Sequence, residues 1–549
     1  MALNFADLFE HAADAFPDRL AVACGDRQVT YAELEERTNR LAHHLAGLGV
    51  GPGDHVGLYA CNSIEAIETL IAACKLRAAA VNINYRYVEN ELQYMFRDSD
   101  LTALVYDRRL GPVVQAARRD APGLRGLIEI DDGTQTTPAT RAAPATQAAP
   151  ATEYDTALAA ASPDRDFAPR SADDVYIIYT GGTTGYPKGV MWRHEDIWRT
   201  LAGGIDFITA EPLPDEWAQS RKGLDGGEFV KLCAAPLIHG NAQVAALAGL
   251  FSGETIVMLP AFDAREIWRA VQRHHVNVLV IIGDAMARPL IEAYAEGNYD
   301  ASSLVALSSS AALFSPAVKD ACAKALPDVV ITEAIGSTET GFAGISFVSA
   351  GEPHRGGPTV MAGPDVIVLG EDGRPATTGQ VGLLARGGHV PLGYYKDPAR
   401  TAAMFAEVDG KRYAVPGDMA RVEDDGTVTL LGRGNTCVNT GGEKVFPEEV
   451  EGALKSHPDV FDALVIGVPD EVLGQRVAAL VQPRPGAAPD LGALQEHARR
   501  QIAGYKVPRS IWLAESIRRT VSGKADYAWA RQYAADHEPG LGYPASAAP

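Results

Sequence analysis

The sequence predicts an α/β fold built on more than one sheet, and three observations carry that prediction. Strand-like apolar runs alternate with helical patterns along most of the chain, the rhythm of largely parallel sheets with covering helices. Several runs, among them Val278-Leu279-Val280-Ile281-Ile282, are apolar without alternation, as suits strands buried on both faces. From about Gly363 the texture changes to short strands separated by the turns Glu371-Asp372-Gly373 and Glu423-Asp424-Asp425-Gly426, which predicts a small β-rich subdomain.

Taken in order, the chain opens with helical and strand patterns. Thr30 and Glu33 stand at capping-box spacing, Leu34, Leu41, Leu45 and Leu48 recur on one helical face, and Gly49 closes the segment. Asp54 to Tyr59 reads as a strand, Ser63 to Cys74 as a helix, and Leu101 to Tyr106 as a further strand. Residues 133–152 break this rhythm with a Pro-Ala-Thr triplet starting at Pro138, Pro144 and Pro150. Small residues and proline cannot build a core, so a flexible surface insert is expected there. Beyond it, Val175 to Tyr179, Lys231 to Ala235, Thr255 to Leu259, Val278 to Ile282 and Val329 to Thr332 read as strands. After Gly432 helix and strand alternation resumes, which divides the chain into an N-terminal domain of residues 1–432 and a C-terminal domain of residues 433–549.

Composition narrows the function. Hydrophobic residues make up 46% and charged residues 22%, an ordinary globular balance. With 49 Lys+Arg against 70 Asp+Glu the formal charge is -21, a field that opposes general nucleic-acid binding and repels an anionic membrane surface. The six cysteines lie at 24, 61, 74, 233, 322 and 437, without Cys-x-x-Cys or Cys/His metal spacing. A reduced, cytoplasmic setting is expected. The start of the chain lacks a basic region followed by an apolar one, and no apolar run reaches membrane-spanning length, so neither secretion nor a transmembrane anchor is expected.

The stretch richest in chemistry is Thr180-Gly181-Gly182-Thr183-Thr184-Gly185-Tyr186-Pro187-Lys188-Gly189, directly behind a strand-like run. Four glycines, three threonines and a lysine in ten residues make a loop able to wrap phosphate oxygens with N–H groups, hydroxyls and one ammonium. It is not a Walker loop, because the G-x-x-x-x-G-K-[ST] spacing fails and Pro187 stands where a helix would start. Alone it could equally be a Gly/Thr-rich hairpin with a solvated lysine.

Downstream follow Ile335-Gly336-Ser337-Thr338-Glu339, Gly417-Asp418, Gly432-Arg433, Gly441-Gly442-Glu443-Lys444, and Thr520-Val521-Ser522-Gly523-Lys524. Taken singly these are weak: Glu339 would be a solvated carboxylate at a helix start, Gly417-Asp418 a turn, Lys524 an exposed lysine. In this order, with the Gly/Thr loop in front, they resemble the adenylate-forming superfamily, in its acyl-CoA synthetase (fatty-acid CoA ligase) branch. The resemblance spans nearly the whole chain, from Thr30 to Lys524.

The resemblance implies a reaction in two halves. A carboxylate attacks the α-phosphate of ATP to give acyl-adenylate and pyrophosphate, and a thiol then displaces AMP. Anion meeting anion requires cations and a metal to stabilise the transition-state charge. By resemblance Thr180, Gly181, Gly182, Thr183, Thr184, Gly185 and Lys188 hold the β- and γ-phosphates, Thr338 contacts the α-phosphate, and Glu339 ligates Mg²⁺. Asp418 is implied to accept from the ribose hydroxyls, with Arg433 nearby. Ser310, Ala311, Ile335, Gly336 and Ser337 border the nucleotide. Lys524 bridges the reacting carboxylate and α-phosphate. The C-terminal domain is small, α+β and mobile, and turns between half-reactions to present Gly441-Gly442 to the pantetheine arm of coenzyme A.

Two departures from the family pattern stand out. Asn435-Thr436 occupies a hinge where Lys-Asp is common, and Ile335 stands where an aromatic often stacks on adenine, so an aliphatic face is expected to pack there instead. For the acid, His239 within Pro236-Leu237-Ile238-His239-Gly240 is a pocket candidate with a packed core histidine as its rival, and Gly283, Ala285 and Gly336 line the same pocket by resemblance. Small residues without a second cation suggest an apolar monocarboxylate, fatty or alicyclic. The expected partners are therefore a small carboxylic acid, ATP, Mg²⁺ and coenzyme A, with a homodimer among the possible assemblies. A carrier-protein phosphopantetheine as acceptor, or a nucleotide-binding protein without catalysis, remain the alternatives.

Overall fold

The computed structural model describes residues 3–121, 123–134, 151–180, 187–206, 209, 211–312, 314–348, 357–363, 365–434, 436–440, 443–470, 473–519 and 525–542. It is an α/β structure with mixed and parallel sheets and a separate C-terminal domain. The first sheet is parallel throughout, in the order Ala79–Asn82, His55–Tyr59, Leu101–Asp107, Gly126–Ile130, Thr152–Glu153. Its last strand corrects one expectation. Thr152, read as the end of a flexible insert, pairs with Ile128, so the ordered sheet begins earlier than composition suggests. Residues 135–150, with the triplets at Pro138 and Pro144, lie outside the described residues.

A second, fifteen-stranded sheet carries Ser310, Ile335 to Ser337, Asp418 and Arg433 on its strands. Its parallel stretch runs Leu20–Cys24, Thr255–Met258, Val230–Cys233, Val278–Ile281, Ala306–Ser310, Val330–Ser337. From there it turns antiparallel through Gly341–Val348 and Thr359–Ala362 to Val428–Arg433, Asp418–Val422 and Val381–Arg386. The small β-rich region is thus continuous with the central sheet by hydrogen bonds. Ala234 and Ala235, expected in a strand, fall beyond it, and the strand at Val330 runs on to Ser337. A third sheet of three strands, Val175–Thr180, Lys188–Arg193 and Gly393–Tyr394, stands beside the first two.

Local sequence explains the helices that cover these sheets. Thr30 caps Tyr31–Gly47 in a closed capping box: its side chain accepts from the Glu33 N–H, while the Thr30 N–H donates to Glu33 Oε2 at 2.7 Å. Leu34, Leu41 and Leu45 of that helix are fully buried, and Gly49 leaves it at φ +86°. Ser63 caps Ile64–Lys75 through the Ala66 N–H. The largest core cluster includes Trp192, Trp198 and Trp268, each fully buried. All six cysteines are free thiols. Among the described residues no helix is long and apolar enough to cross a membrane.

Beyond Arg433 the next strand, Val438–Thr440, belongs to a separate five-stranded sheet with Glu443–Val445, Gly474–Pro483, Val460–Asp470 and Ser510–Leu513. Helices Pro447–Lys455, Leu491–Arg499 and Tyr527–Asp536 pack on it around cores of their own.

Candidate active site

The Gly/Thr loop joins two antiparallel strands, so its ends face each other: Thr180 pairs with Lys188 and Tyr179 with Gly189. Gly181, Gly182, Thr183, Thr184 and Gly185 lie outside the described residues. The strand leading into the loop is anchored from the first sheet. Asn82, only 4% exposed, accepts from the Tyr179 N–H at 2.7 Å and donates to the carbonyls of Tyr179 at 2.8 Å and Ile238 at 2.6 Å. One buried amide therefore ties the root of the loop to the residue before His239. Asn62 acts alike on the other side of that segment, accepting from the Leu237 N–H at 2.7 Å and donating to the Ala235 carbonyl at 3.2 Å. Burial, with Asp98 as acceptor, pushes the Tyr179 phenol well above its usual range, so it stays a donor.

Lys188 faces an aromatic ring. Its ammonium lies 5.6 Å from the centroid of Tyr394, within cation–π range. Tyr394 is placed by the short strand Gly393–Tyr394, in which Tyr394 pairs with Val190, and by its N–H, which donates to Thr401 Oγ1 at 2.9 Å. The Tyr394 hydroxyl donates to Glu339 Oε1 at 3.1 Å.

Glu339 does not sit at a helix start. It lies in a tight hairpin between Val330–Ser337 and Gly341–Val348, where Ser337 pairs with Gly341, and it is 7% exposed. Ser337 and Thr340 brace that hairpin with reciprocal bonds: the Ser337 N–H donates to Thr340 Oγ1 and the Thr340 N–H to Ser337 Oγ, both at 3.1 Å. Thr338 is held through its carbonyl, which accepts from Trp192 Nε1 at 3.0 Å. Gly336 must be glycine for a packing reason, since a Cβ there would come within 2.2 Å of the Gly341 carbonyl oxygen. Ile335 is 6% exposed and belongs to a core cluster with Ala343, Val360 and Val368.

The other predicted residues fall into two groups. His239 is half-buried at the N-cap of Gly240–Phe251, and two residues on, Asn241 Nδ2 donates to Ser310 Oγ at 2.8 Å. Ala311 follows with φ +66°, a conformation non-glycine residues rarely hold and one that clusters at functional sites. The Gly283 N–H donates to the buried Ser309 Oγ at 3.0 Å, while Ala285 is exposed. Asp418 opens a strand after Gly417, at φ +98°, and pairs with Arg433 across the ladder. In strand order this pair lies beyond Gly341–Val348 and Thr359–Ala362 from the Glu339 hairpin. Gly441, Gly442 and Lys524 lie outside the described residues. A cleft of about 620 Å³ opens beside Met419, between the β-rich region and the C-terminal domain, walled by Leu431, Phe446, Glu449 and Tyr505.

Sequence reading missed Tyr394, Trp192, Asn82 and Asn241. Only Asn82 left a signal, a polar side chain ending the apolar run Ala79-Ala80-Val81.

The described residues set Lys188, at the end of the Gly/Thr segment, and the buried carboxylate of Glu339 against the same Tyr394 side chain, on an α/β body with a separate C-terminal domain. Comparison with known proteins agrees. The family model described as AMP-binding enzyme matches residues 9–395, and that described as AMP-binding enzyme C-terminal domain matches residues 449–524. The 3-oxocholest-4-en-26-oate--CoA ligase of Rhodococcus rhodochrous is 53% identical, over 97% of this chain and 96% of that one. The medium/long-chain-fatty-acid--CoA/3-oxocholest-4-en-26-oate--CoA ligase of Mycobacterium tuberculosis is 51% identical, over 97% and 96%. Among solved structures, ATP-bound MatB from Rhodopseudomonas palustris superposes with a TM-score of 0.79 at 25% identity, covering 96% of this chain and 98% of that one. The chain belongs to the AMP-binding, adenylate-forming enzyme family. Within it, it is an acyl-CoA synthetase, which activates a carboxylic acid with ATP and joins it to coenzyme A.

Proposed function

We propose that this enzyme acts on an apolar monocarboxylic acid with a bulky alicyclic or long aliphatic body, converting it to acyl-adenylate and pyrophosphate and then to the CoA thioester and AMP. The observation that supports the site assignment best is the line Lys188, Tyr394, Glu339, which sets a cation and a buried carboxylate at the mouth of the Gly/Thr loop. In this reading Lys188, with Thr180, Thr183 and Thr184, neutralises the leaving pyrophosphate. Thr338 meets the α-phosphate, Asp418 the ribose, and Arg433 the nucleotide beside it. Lys524 serves the reacting carboxylate, and Gly441-Gly442 leave room for the pantetheine arm. In this reading the domains divide between residues 432 and 433, within the last residues of the strand Val428–Arg433 that closes the central sheet in chain order.

Glu339 fits a magnesium ion. Among the described residues no three His, Cys, Asp or Glu gather into a protein cage, and Mg²⁺ is usually bound by one or two carboxylates together with substrate phosphates and water. A fixed carboxylate supplies that share, and Tyr394 fixes it. When bound, the ion would neutralise phosphate charge.

The acid class rests on the relatives named for 3-oxocholest-4-en-26-oate and for fatty acids, and on the small residues Gly283, Ala285, Ser310 and Ala311, which the family resemblance assigns with His239 to the acid pocket. The test is a panel of acids assayed for CoA-dependent pyrophosphate release, with 3-oxocholest-4-en-26-oate, medium- and long-chain fatty acids, amino acids and dicarboxylates. Turnover confined to amino acids or dicarboxylates overturns the substrate class. Unchanged pyrophosphate release in Lys524→Ala overturns the role of that lysine.

A further inference from the structure

The helix Gly283–Glu296 carries Asp284, Arg288 and Glu292 at intervals of four, hence in one stripe along one face. Each of the three meets a different residue of the C-terminal domain. Asp284 Oδ2 lies 3.0 Å from Lys455 Nζ, the Arg288 guanidinium lies 5.7 Å from the centroid of Phe461, and Glu292 Oε1 lies 3.1 Å from Arg484 Nη1. The first contacts are buried, with Asp284 and Arg288 8% exposed and Lys455 3%, whereas the last lies at the rim.

Both ends of the buried pair are tied into their own domain. Asp284 Oδ1 accepts from the Ser315 N–H at 2.7 Å. Lys455 lies 3.9 Å from Asp462, whose two oxygens each accept from Arg519 at 2.6 Å. Arg519 is also the last described residue before the segment that ends in Lys524.

Three physical properties follow. The stripe alternates in charge, so sliding the C-terminal domain by one helical turn would set Lys455 or Arg484 against Arg288; like charges make the wrong register costly. Desolvating a charged pair costs about what its attraction returns, so this seam selects a position without cementing it, unlike an apolar seam of equal area. Arg288 Nη2 has no hydrogen-bond partner among the described residues, which makes the closed seam less favourable still.

We propose that Asp284, Arg288 and Glu292 form a docking rail that selects one register of the C-terminal domain, and that Lys455 and Arg484 are positioning residues for the half-reaction run in that register. The proposal assumes the two-step reaction above, in which the C-terminal domain brings Lys524 to the nucleotide. The rail begins one residue after Gly283, so docking and the acid pocket share the first turn of one helix.

The test separates the half-reactions. Adenylation is read as acid-dependent ATP–pyrophosphate exchange without CoA, and thioester formation as acyl-CoA release from preformed acyl-adenylate. Lys455→Met is expected to change the ratio of the two rates by about tenfold, and to broaden the interdomain distance distribution seen by single-molecule energy transfer. Because a buried variant can misfold, the exposed pair gives the second arm. Glu292→Arg, which sets two cations together, is expected to change the ratio by about threefold, and Glu292→Arg with Arg484→Glu to restore it. Equal losses in both half-reactions, an unchanged ratio, or a swap that restores nothing overturns the rail. Lys524→Ala is the control: if neither half-reaction suffers, the assumed role of the lysine falls, while the energy-transfer result still decides whether the rail docks the domain.

Discussion

The Tyr394 hydroxyl donates to Glu339 Oε1 at 3.1 Å while its ring lies 5.6 Å from Lys188 Nζ. One side chain thus orients the site's buried carboxylate and faces its loop cation. Tyr394→Phe keeps the ring and deletes the donor, which leaves an acceptor of Glu339 without that partner, a loss of about 1 to 2 kcal/mol. Pyrophosphate release is expected to fall about tenfold, with a raised requirement for Mg²⁺ in a metal titration. Tyr394→Leu removes the cation–π contact as well and is expected to fall further. Equal activity of the Tyr394→Phe variant and the parent enzyme across the titration would remove Tyr394 from the site.

Gly336→Ala places a methyl 2.2 Å from the Gly341 carbonyl oxygen, a backbone atom that cannot swing aside. The hairpin holding Thr338 and Glu339 must open, at about 1 to 3 kcal/mol of strain. The expected result is a lower melting temperature together with activity reduced more than tenfold. Full activity in a stable variant would show that the hairpin tolerates displacement.

Asn82→Ala removes one acceptor and two donor contacts at a site 4% exposed. The Tyr179 and Ile238 backbone groups lose their partners, and a destabilisation of about 2 to 4 kcal/mol is expected in chemical denaturation. Since Asn82 links the loop strand to the segment of His239, the KM values for ATP and for the acid should rise together. A change in only one would show that the clamp does not couple them.

His194 makes stability depend on pH. Burial pushes its imidazole down to about 4, and its Nδ1 accepts from the Phe5 N–H at 2.9 Å. The folded state therefore holds the ring neutral while the unfolded chain, near its ordinary value of about 6.5, takes up a proton. Stability from this group is complete above about pH 6.5 and is lost as pH falls towards 4, to a total of roughly 3 kcal/mol. His194→Asn removes the titrating group, so in urea denaturation the stability difference between parent and variant should shrink as pH falls through that window. A difference that stays constant between about pH 4 and 7 would contradict it.

Much of the fold could be read from contiguous residues. The helix Tyr31–Gly47, its capping box and its buried Leu34, Leu41 and Leu45 follow from local chemistry, while Leu48 is half-buried at the C-cap. Composition extends the flexible insert to Thr152, which has no local strand signal; its pairing with Ile128 comes from the neighbouring strand. That Ile335 joins a core cluster with Ala343 and Val360 follows from the antiparallel return of the chain, which no local pattern shows. Taken alone Glu339 reads as a solvated carboxylate at a helix start, and only strand pairing on both sides shows the hairpin.

The sequence by itself determined the family: the Gly/Thr loop, Thr338-Glu339, Asp418, Arg433 and Lys524, in that order, resemble the adenylate-forming pattern, because each motif is a short contiguous stretch that a linear sequence preserves. The tertiary structure decided which groups hold those motifs in place. Tyr394 reaches Glu339, Asn82 reaches Tyr179 and Ile238, and Lys455 reaches Asp284 across gaps in sequence of 55, 97, 156 and 171 residues. Such contacts depend on strand register and domain docking, which bring distant side chains to within a few ångströms, and no local pattern records them.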